Sequence, residues 1–253
     1  MIDKRIATFD EAVADVPDGA TVHFGGFVSP WNHPSYLVAA VARQGASGLT
    51  AVATAMGRGP ARSDEHSMWY PPERRPTDYF DIGLLAELGR IRKGITSFPV
   101  AARHSLVYPF EAQLARGEVE VEVTGQGSLA ERIRAARAGI AAFYTPVGPG
   151  TAVAEGKELR DFDGVPHVLE TALHADFALI RAQRADRHGN LWFRGARTFN
   201  ETMAGAATVT VAEVDEIVEL GTLGPEEIHV AGVYVQRIVE RPRTAATSWE
   251  QPQ

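Results

Sequence analysis

The sequence predicts an α/β fold: an open, largely parallel sheet flanked by helices, with a smaller β-rich portion in the second half. Three observations lead there. From residue 20 to 140, short apolar runs alternate with segments of helical spacing, the pattern of a parallel sheet whose crossovers are helices. Glycine-rich turns stand where strands end and helices begin. After residue 140 the alternation stops and turn-punctuated strands take over.

The elements follow in order. Asp10–Val16 reads as a short capped helix and Asp18-Gly19 as a turn. Thr21–Phe24 is a strand running into Gly25-Gly26-Phe27. His33–Arg43 is a helix, because Tyr36, Leu37, Ala40 and Val41 share one face. Leu49–Val52 is the second strand. Arg58–Asp78 holds four prolines, mixed charges and the pair Trp69-Tyr70; a loop of that length is a lid, a binding loop or a surface excursion. Phe80–Leu88 reads as a helix, Ile91–Phe98 as a strand and Tyr108–Arg116 as a helix. Glu118–Val123 alternates Glu and Val, the period of a half-buried strand. Ser128 opens a helix through a capping box with Glu131, and Gly139 stops it. Asp161-Phe162-Asp163-Gly164 is a hairpin turn leading into His167-Val168-Leu169. Phe177–Ala182 and Asn190–Phe193 are strands flanking a turn at Asp186–Gly189. Thr202–Ala207 is a short helix and Thr208–Val214 a strand. One domain spans 1–240, and 241–253 is a disordered tail.

Composition bounds the function. The 253 residues are 45% hydrophobic and 23% charged, an ordinary soluble balance. A net charge of −7 argues against sequence-independent nucleic-acid binding, which needs clustered cations. There are no cysteines, so disulfides, thiolate catalysis and Cys-based zinc sites are excluded. Met1-Ile2-Asp3-Lys4-Arg5 lacks the apolar stretch of a signal peptide, and no apolar run approaches the roughly 20 residues of a membrane helix. A soluble, cytoplasmic protein is expected, with no membrane association.

Searches for familiar catalytic motifs fail. There is no P-loop, no H-E-x-x-H and no G-x-S-x-G. Gly148-Pro149-Gly150 lacks the third glycine of a dinucleotide fingerprint. The eight histidines have no ligand spacing, so no metal is implied; His23, mid-strand, reads as a core residue. Glu118–Glu122 reads as a solvated strand face. The glycines say more. Gly25-Gly26-Phe27 and Gly125-Gln126-Gly127-Ser128 both lie at strand ends before helices, and ligands of open α/β sheets bind at the carboxyl ends of strands.

At these residues the sequence resembles the alpha (A) chain type of the family I CoA-transferases, of the acetate/3-oxoacid and 3-oxoadipate kind. Asp18–Phe27 matches the first half of the family signature, and Gln126–Ala135 matches its Q-G-T-L-A-E-R-I-R-A segment with one change. Phe143–Thr151 resembles its Y-T-P-T-G-x-G-T, with Val147 for the second threonine. Val153–Glu158, Arg160–Gly164, Asp176–Ile180, Gly189–Leu191 and Ala196–Asn200 follow in the family order, so the resemblance spans about residues 2–240.

The resemblance implies a CoA-transferase fold and ping-pong transfer of CoA between a thioester and a free carboxylate. A glutamate nucleophile forms an acyl anhydride and then a glutamyl-CoA thioester. That glutamate belongs to an S-E-N-G motif of a beta subunit, which this chain lacks. A beta-subunit partner is therefore expected, typically as two alpha and two beta subunits (α2β2), with CoA as substrate and no bound cofactor. The alpha-subunit glutamine, here Gln126, supports oxyanion charge near the reacting carbonyl. Gly25, Gly26, Phe27, Trp31, Thr54, Gly57 and Gly127 are the implied substrate-binding positions.

Departures cluster around these positions. The family's G-G-F-x-x-x-G-x-P becomes Gly25-Gly26-Phe27-Val28-Ser29-Pro30-Trp31-Asn32-His33-Pro34, and its S-N-N-A-G becomes Ala53-Thr54-Ala55-Met56-Gly57. Arg58–Asp78 reads as an insertion that caps the acyl pocket through Trp69 and Tyr70. Either the acyl pocket is reshaped for an unusual acid, or the scaffold hydrolyses CoA thioesters or C–C bonds, with Glu201 as a candidate participant, or the chain is a non-catalytic structural subunit.

Overall fold

Parallel strands are stable when both faces are covered, and the short strands of the first half are apolar enough to be covered on both. The computed structural model describes residues 2–27, 32–59, 81–101 and 107–242. In chain order these form Phe9–Ala12 (α1), Thr21–Phe24 (β1), Ser35–Gln44 (α2), Leu49–Val52 (β2), Gly83–Glu87 (α3), Ile91–Thr96 (β3), Pro109–Ala115 (α4) and Glu120–Val123 (β4). Then come Gln126–Ala138 (α5), Ala142–Thr145 (β5), Leu159–Phe162 (β6), Val165–Thr171 (β7), Ala175–Asp186 (β8), Leu191–Trp192 (β9), Thr198–Met203 (α6), Ala207–Val218 (β10) and Arg237–Glu240 (β11).

Seven strands make a parallel sheet in the order β11-β10-β8-β1-β2-β3-β4, and β9 pairs antiparallel with β8. From β1 the chain first builds outward through β2, β3 and β4. It returns to the other side of β1 with β8. The seam between β1 and β8 is the topological switch point, where open sheets leave a crevice. Side chains divide by the two-residue period. Val22, Phe24, Ala51, Phe177 and Leu179 face a core shared with Leu37 and Val41 of α2, Leu85 of α3 and Phe110 of α4. Val52, Ile95, Ala178 and Ile180 face the opposite core, with Leu129 and Ile133 of α5 and Phe199 and Met203 of α6. A separate antiparallel sheet, β5-β7-β6, holds the hairpin that turns at Asp163-Gly164.

Several expectations shift. The first helix starts earlier and ends earlier than Asp10–Val16, because Thr8 caps it by accepting from the Glu11 N–H. The Ser128–Glu131 pair is not the cap of α5: the helix begins at Gln126 after Gly125, and Ser128 is buried inside the first turn. The short helix read at Thr202–Ala207 lies four residues earlier as α6, because Phe199, Asn200 and Met203 are the buried positions. β8 and β10 are each 12 residues, longer than the segments read from apolar runs. β5 and β11 were not expected as strands. Of the glutamates read as a solvated face, Glu118 and Glu120 are exposed, whereas Glu122 is ion-paired to Lys93 at 2.9 Å and to buried Arg132 at 2.7 Å. Burial pushes the Glu122 carboxyl up, and the bonds from Lys93 and Arg132 bring it below its ordinary value. Among the described residues, no helix is long and apolar enough to cross a membrane. Trp31, Trp69, Tyr70 and residues 243–253 lie outside the described residues; Arg241, expected in the tail, is instead buried against Glu213 and Asp215.

Candidate functional site

The carboxyl end of β1 is shaped by its two glycines. The Gly25 N–H donates to Leu179 O at 2.8 Å, extending the ladder to β8. Against Gly25 lies Asn200, fully buried in α6. Its Oδ1 accepts from the Arg181 N–H at 3.0 Å, and its Nδ2 donates to Asn32 O at 3.1 Å and to Thr198 Oγ1 at 3.2 Å. A Cβ on Gly25 would overlap the Asn200 amide. Gly26 has φ +107°, and a Cβ there would press on the His33 ring. Thr198 has φ +51°, a backbone conformation a β-branched residue adopts only under constraint. Its hydroxyl bond to Asn200 belongs to that constraint.

The ends of β2 and β3 are tied together next. Thr54 O accepts from the N–H groups of Ser97 and Phe98 at 3.2 and 3.0 Å, and from Thr96 Oγ1 at 2.9 Å. The chain then turns through Gly57 at φ +76°, where a Cβ would collide with Gly83 N and Asp81. The Asp81 carboxylate holds this turn by accepting from the N–H groups of Arg58 (2.8 Å), Gly59 (3.0 Å) and Gly83 (2.9 Å).

Over these three strand ends opens a cavity of about 580 Å³, within the size range of small-molecule sites. Of the expected positions, Gly26, Phe27, Thr54 and Gly57 line it, joined by His33, Met56, Arg58, Phe98 and Tyr108. The Thr54 hydroxyl is buried and, like the Ser97 hydroxyl beside it, has no hydrogen-bond partner among the described residues. Gly25 is packed beneath the cavity, not in its wall. Gln126 and Gly127 sit exposed in the first turn of α5 and do not line it, so the two glycine-rich turns do not share one cavity in this chain. Glu201, half-buried in α6 and paired with Arg197 at 3.2 Å, is also outside the cavity wall.

Sequence reading missed the groups behind the site. Glu213 of β10 is fully buried, and its Oε2 accepts from the Tyr36 and Leu37 N–H groups at 2.8 and 3.2 Å, in the first turn of α2. Its other oxygen is 3.1 Å from Arg241 Nε. Arg181 and Arg241 both reach Asp215, at 2.8 and 3.5 Å. Burial pushes the Glu213 carboxyl up, against the opposing pull of Arg241 and Arg181. The helix it caps begins just after His33, so this carboxylate braces the cavity's edge from below. The available signal was a glutamate at an inward position of Val211-Ala212-Glu213-Val214. His23, expected in the core, is there: fully buried, with neither ring nitrogen bonded among the described residues. Burial, then the nearby His174, lowers it to about 3. Among the described residues no group of three or more acidic or histidine side chains is placed to hold a metal.

Known proteins share this architecture. A coenzyme A transferase family model matches residues 6–65 and 75–241, leaving 66–74 of the proline-rich loop unmatched. The chain is 43% identical over 251 residues to the alpha (A) chain of the 3-oxoadipate CoA-transferase of Pseudomonas putida, covering 98% of each chain. It is 44% identical over 238 residues to the corresponding chain of the succinyl-CoA:3-ketoacid coenzyme A transferase of Xanthomonas campestris, covering 93% of this chain and 88% of the relative. In fold it is similar to the glutaconate coenzyme A-transferase of Acidaminococcus fermentans, with TM-score 0.75 at 20% identity over 94% of this chain and 76% of that one.

Proposed function

We infer the function from one premise: the chain belongs to the coenzyme A transferase family. From it we propose the alpha subunit of a heteromeric cytoplasmic CoA-transferase, active with a beta subunit, in which residues 1–240 act as one domain. CoA is its substrate, moved between an acyl-CoA and a carboxylic acid. The nucleophilic glutamate comes from the partner subunit. Its carboxylate attacks the thioester carbonyl and expels CoA thiolate, leaving an acyl-glutamyl anhydride. The thiolate then attacks the glutamyl carbonyl, releasing the first acid and leaving a glutamyl-CoA thioester. The acceptor carboxylate reverses the sequence and departs as the new acyl-CoA. Splitting the exchange in this way replaces one difficult step by easier ones.

This chain's share is to present the acyl group. Gly26, Phe27, Thr54 and Gly57 form the wall at the strand ends, supported by Asn200 and by the Asp81-held turn. Trp31 and Gly127 complete the proposed set, and Gly25 shapes the turn from beneath, where it makes room for Asn200. Gln126 stands exposed at the start of α5, where a partner subunit can cover it, and its amide is assigned to the developing oxyanion. The observation that carries the reading is the full-length identity to a protein named as one of the two chains of a CoA-transferase. Initial-rate kinetics of the alpha–beta complex test it. Parallel double-reciprocal lines at several acceptor concentrations are expected. Intersecting lines, or free CoA released at a rate independent of acceptor, contradict it.

A further inference from the structure

The ladder between β1 and β8 ends on a side chain instead of on backbone. Alternate N–H groups of β8 face β1, and the bonds of a parallel pair are evenly spaced. Leu179 O accepts from the Gly25 N–H, and the next donor on that side is the Arg181 N–H. It donates to Asn200 Oδ1 at 3.0 Å, where a continued β1 would have offered a backbone carbonyl. The strand is thereby free to leave the sheet at its two glycines. Where the chain comes back toward α2, Asn200 Nδ2 donates to Asn32 O at 3.1 Å. It also donates to Thr198 Oγ1 at 3.2 Å, so both hydrogens of the amide are used and its orientation is fixed. Thr198 holds φ +51° beside it, and strained backbone of this kind persists only where the surroundings over-determine it.

One buried amide therefore packs against Gly25, where the chain leaves the sheet, and bonds Asn32, where it returns. Gly26 and Phe27 follow the first of these residues and His33 follows the second, and all three line the cavity. We propose that Asn200 is a positioning residue for acyl transfer: its amide sets where this wall stands relative to the reacting carbonyl. Asn200 is fully buried and outside the cavity wall, so it acts through the backbone at Gly25 and Asn32. A displacement of about 1 Å at a reacting group can cost on the order of 10²-fold in rate. The proposal deepens, and rests on, the reading of the chain as the alpha subunit of a CoA-transferase.

Position and rate are measured separately on the alpha–beta complex, so that the two ideas fail separately. Asn200→Asp keeps the shape of the side chain and an oxygen for the Arg181 N–H, but replaces the NH2 group by an oxygen. Asn200→Ala, which buries no charge, is the second variant. In hydrogen exchange the Gly25 amide is expected to exchange at least tenfold faster in both. The Arg181 amide stays protected in Asn200→Asp and loses protection in Asn200→Ala. Transfer is followed with succinyl-CoA and 3-oxoadipate, groups that the relatives' names specify. Per folded complex, kcat is expected to fall at least tenfold with KM within about threefold, the signature of lost transition-state geometry and not of lost binding. A merely structural role lowers the amount of complex and leaves kcat per folded complex as it was. Wild-type kcat in either folded variant, or wild-type exchange at Gly25, overturns the proposal. A wild-type complex that moves CoA to no acid contradicts the CoA-transferase reading instead, and the exchange rates still judge the hold of Asn200 on the two chain ends.

Discussion

Asn200 fills the space against the Gly25 turn that glycine-rich turns elsewhere leave for a ligand. The glycine is needed because the amide needs the room. Gly25→Ala is therefore expected to destabilise the chain by about 1–3 kcal/mol, the usual cost of overpacking. Chemical denaturation of the purified protein reads this directly, and wild-type stability would mean that Asn200 moves aside freely. His23 carries a pH signature. Its folded value of about 3 lies below the ordinary value of 6.5, so the unfolded chain takes up a proton that the folded chain refuses. Stability is full above pH 6.5 and is lost as pH falls toward 3, by about 1.4 kcal/mol per unit across that window. In His23→Leu this part of the pH dependence is expected to disappear from denaturation curves taken between pH 5 and 7. Gln126 is exposed in the first turn of α5, so Gln126→Ala is expected to leave the melting temperature unchanged. In the assembled complex kcat should fall on the order of 10²–10³-fold, as when an oxyanion donor is removed. Wild-type kcat would take the glutamine out of the mechanism.

At the scale of elements, the strands with two covered faces were the most legible. Thr21–Phe24 and Leu49–Val52 match residue for residue, because short apolar runs between turns leave little choice. Elements whose limits depend on tertiary partners were not. Ser128-Leu129-Ala130-Glu131 has the spacing of a capping box, yet packing buries Ser128 and starts α5 two residues earlier. α6 was displaced because its start is fixed by Asn200 bonding to β8 and to Asn32, contacts that span up to 168 positions. β11 escaped notice because it is four residues long and owes its place to pairing with β10 and to Arg241. The brace under α2 depends on the same contacts. Glu213→Ala removes one member of a buried charge network and leaves Arg241 with the longer 3.5 Å contact to Asp215, and breaking a buried pair in this way costs about 3–5 kcal/mol. The urea midpoint is expected to drop accordingly. A change below 1 kcal/mol would show that α2 does not depend on this carboxylate.

For the whole molecule, the fold class was readable from alternation alone, whereas the site was readable only as a set of turns. The positions at the ends of β1 and β2 do meet in one cavity, because parallel strands bring their carboxyl ends to the same edge. Gln126 and Gly127 follow β4, the outermost strand on that side, and so stand apart from the cavity. Asp81 and Glu213 support the site from positions no local pattern singles out. A site that holds a cavity and an acyl wall, with its nucleophile supplied elsewhere, makes the partner subunit the central claim. It is tested by mixing the alpha–beta complex with an acyl-CoA, omitting acceptor acid, and recording intact-protein and peptide mass spectra. The account predicts a CoA adduct on a glutamate of the partner subunit, with this chain unmodified. Free CoA accumulating with no adduct on either chain, and no exchange into added acids, would contradict it and point to hydrolysis on the same scaffold.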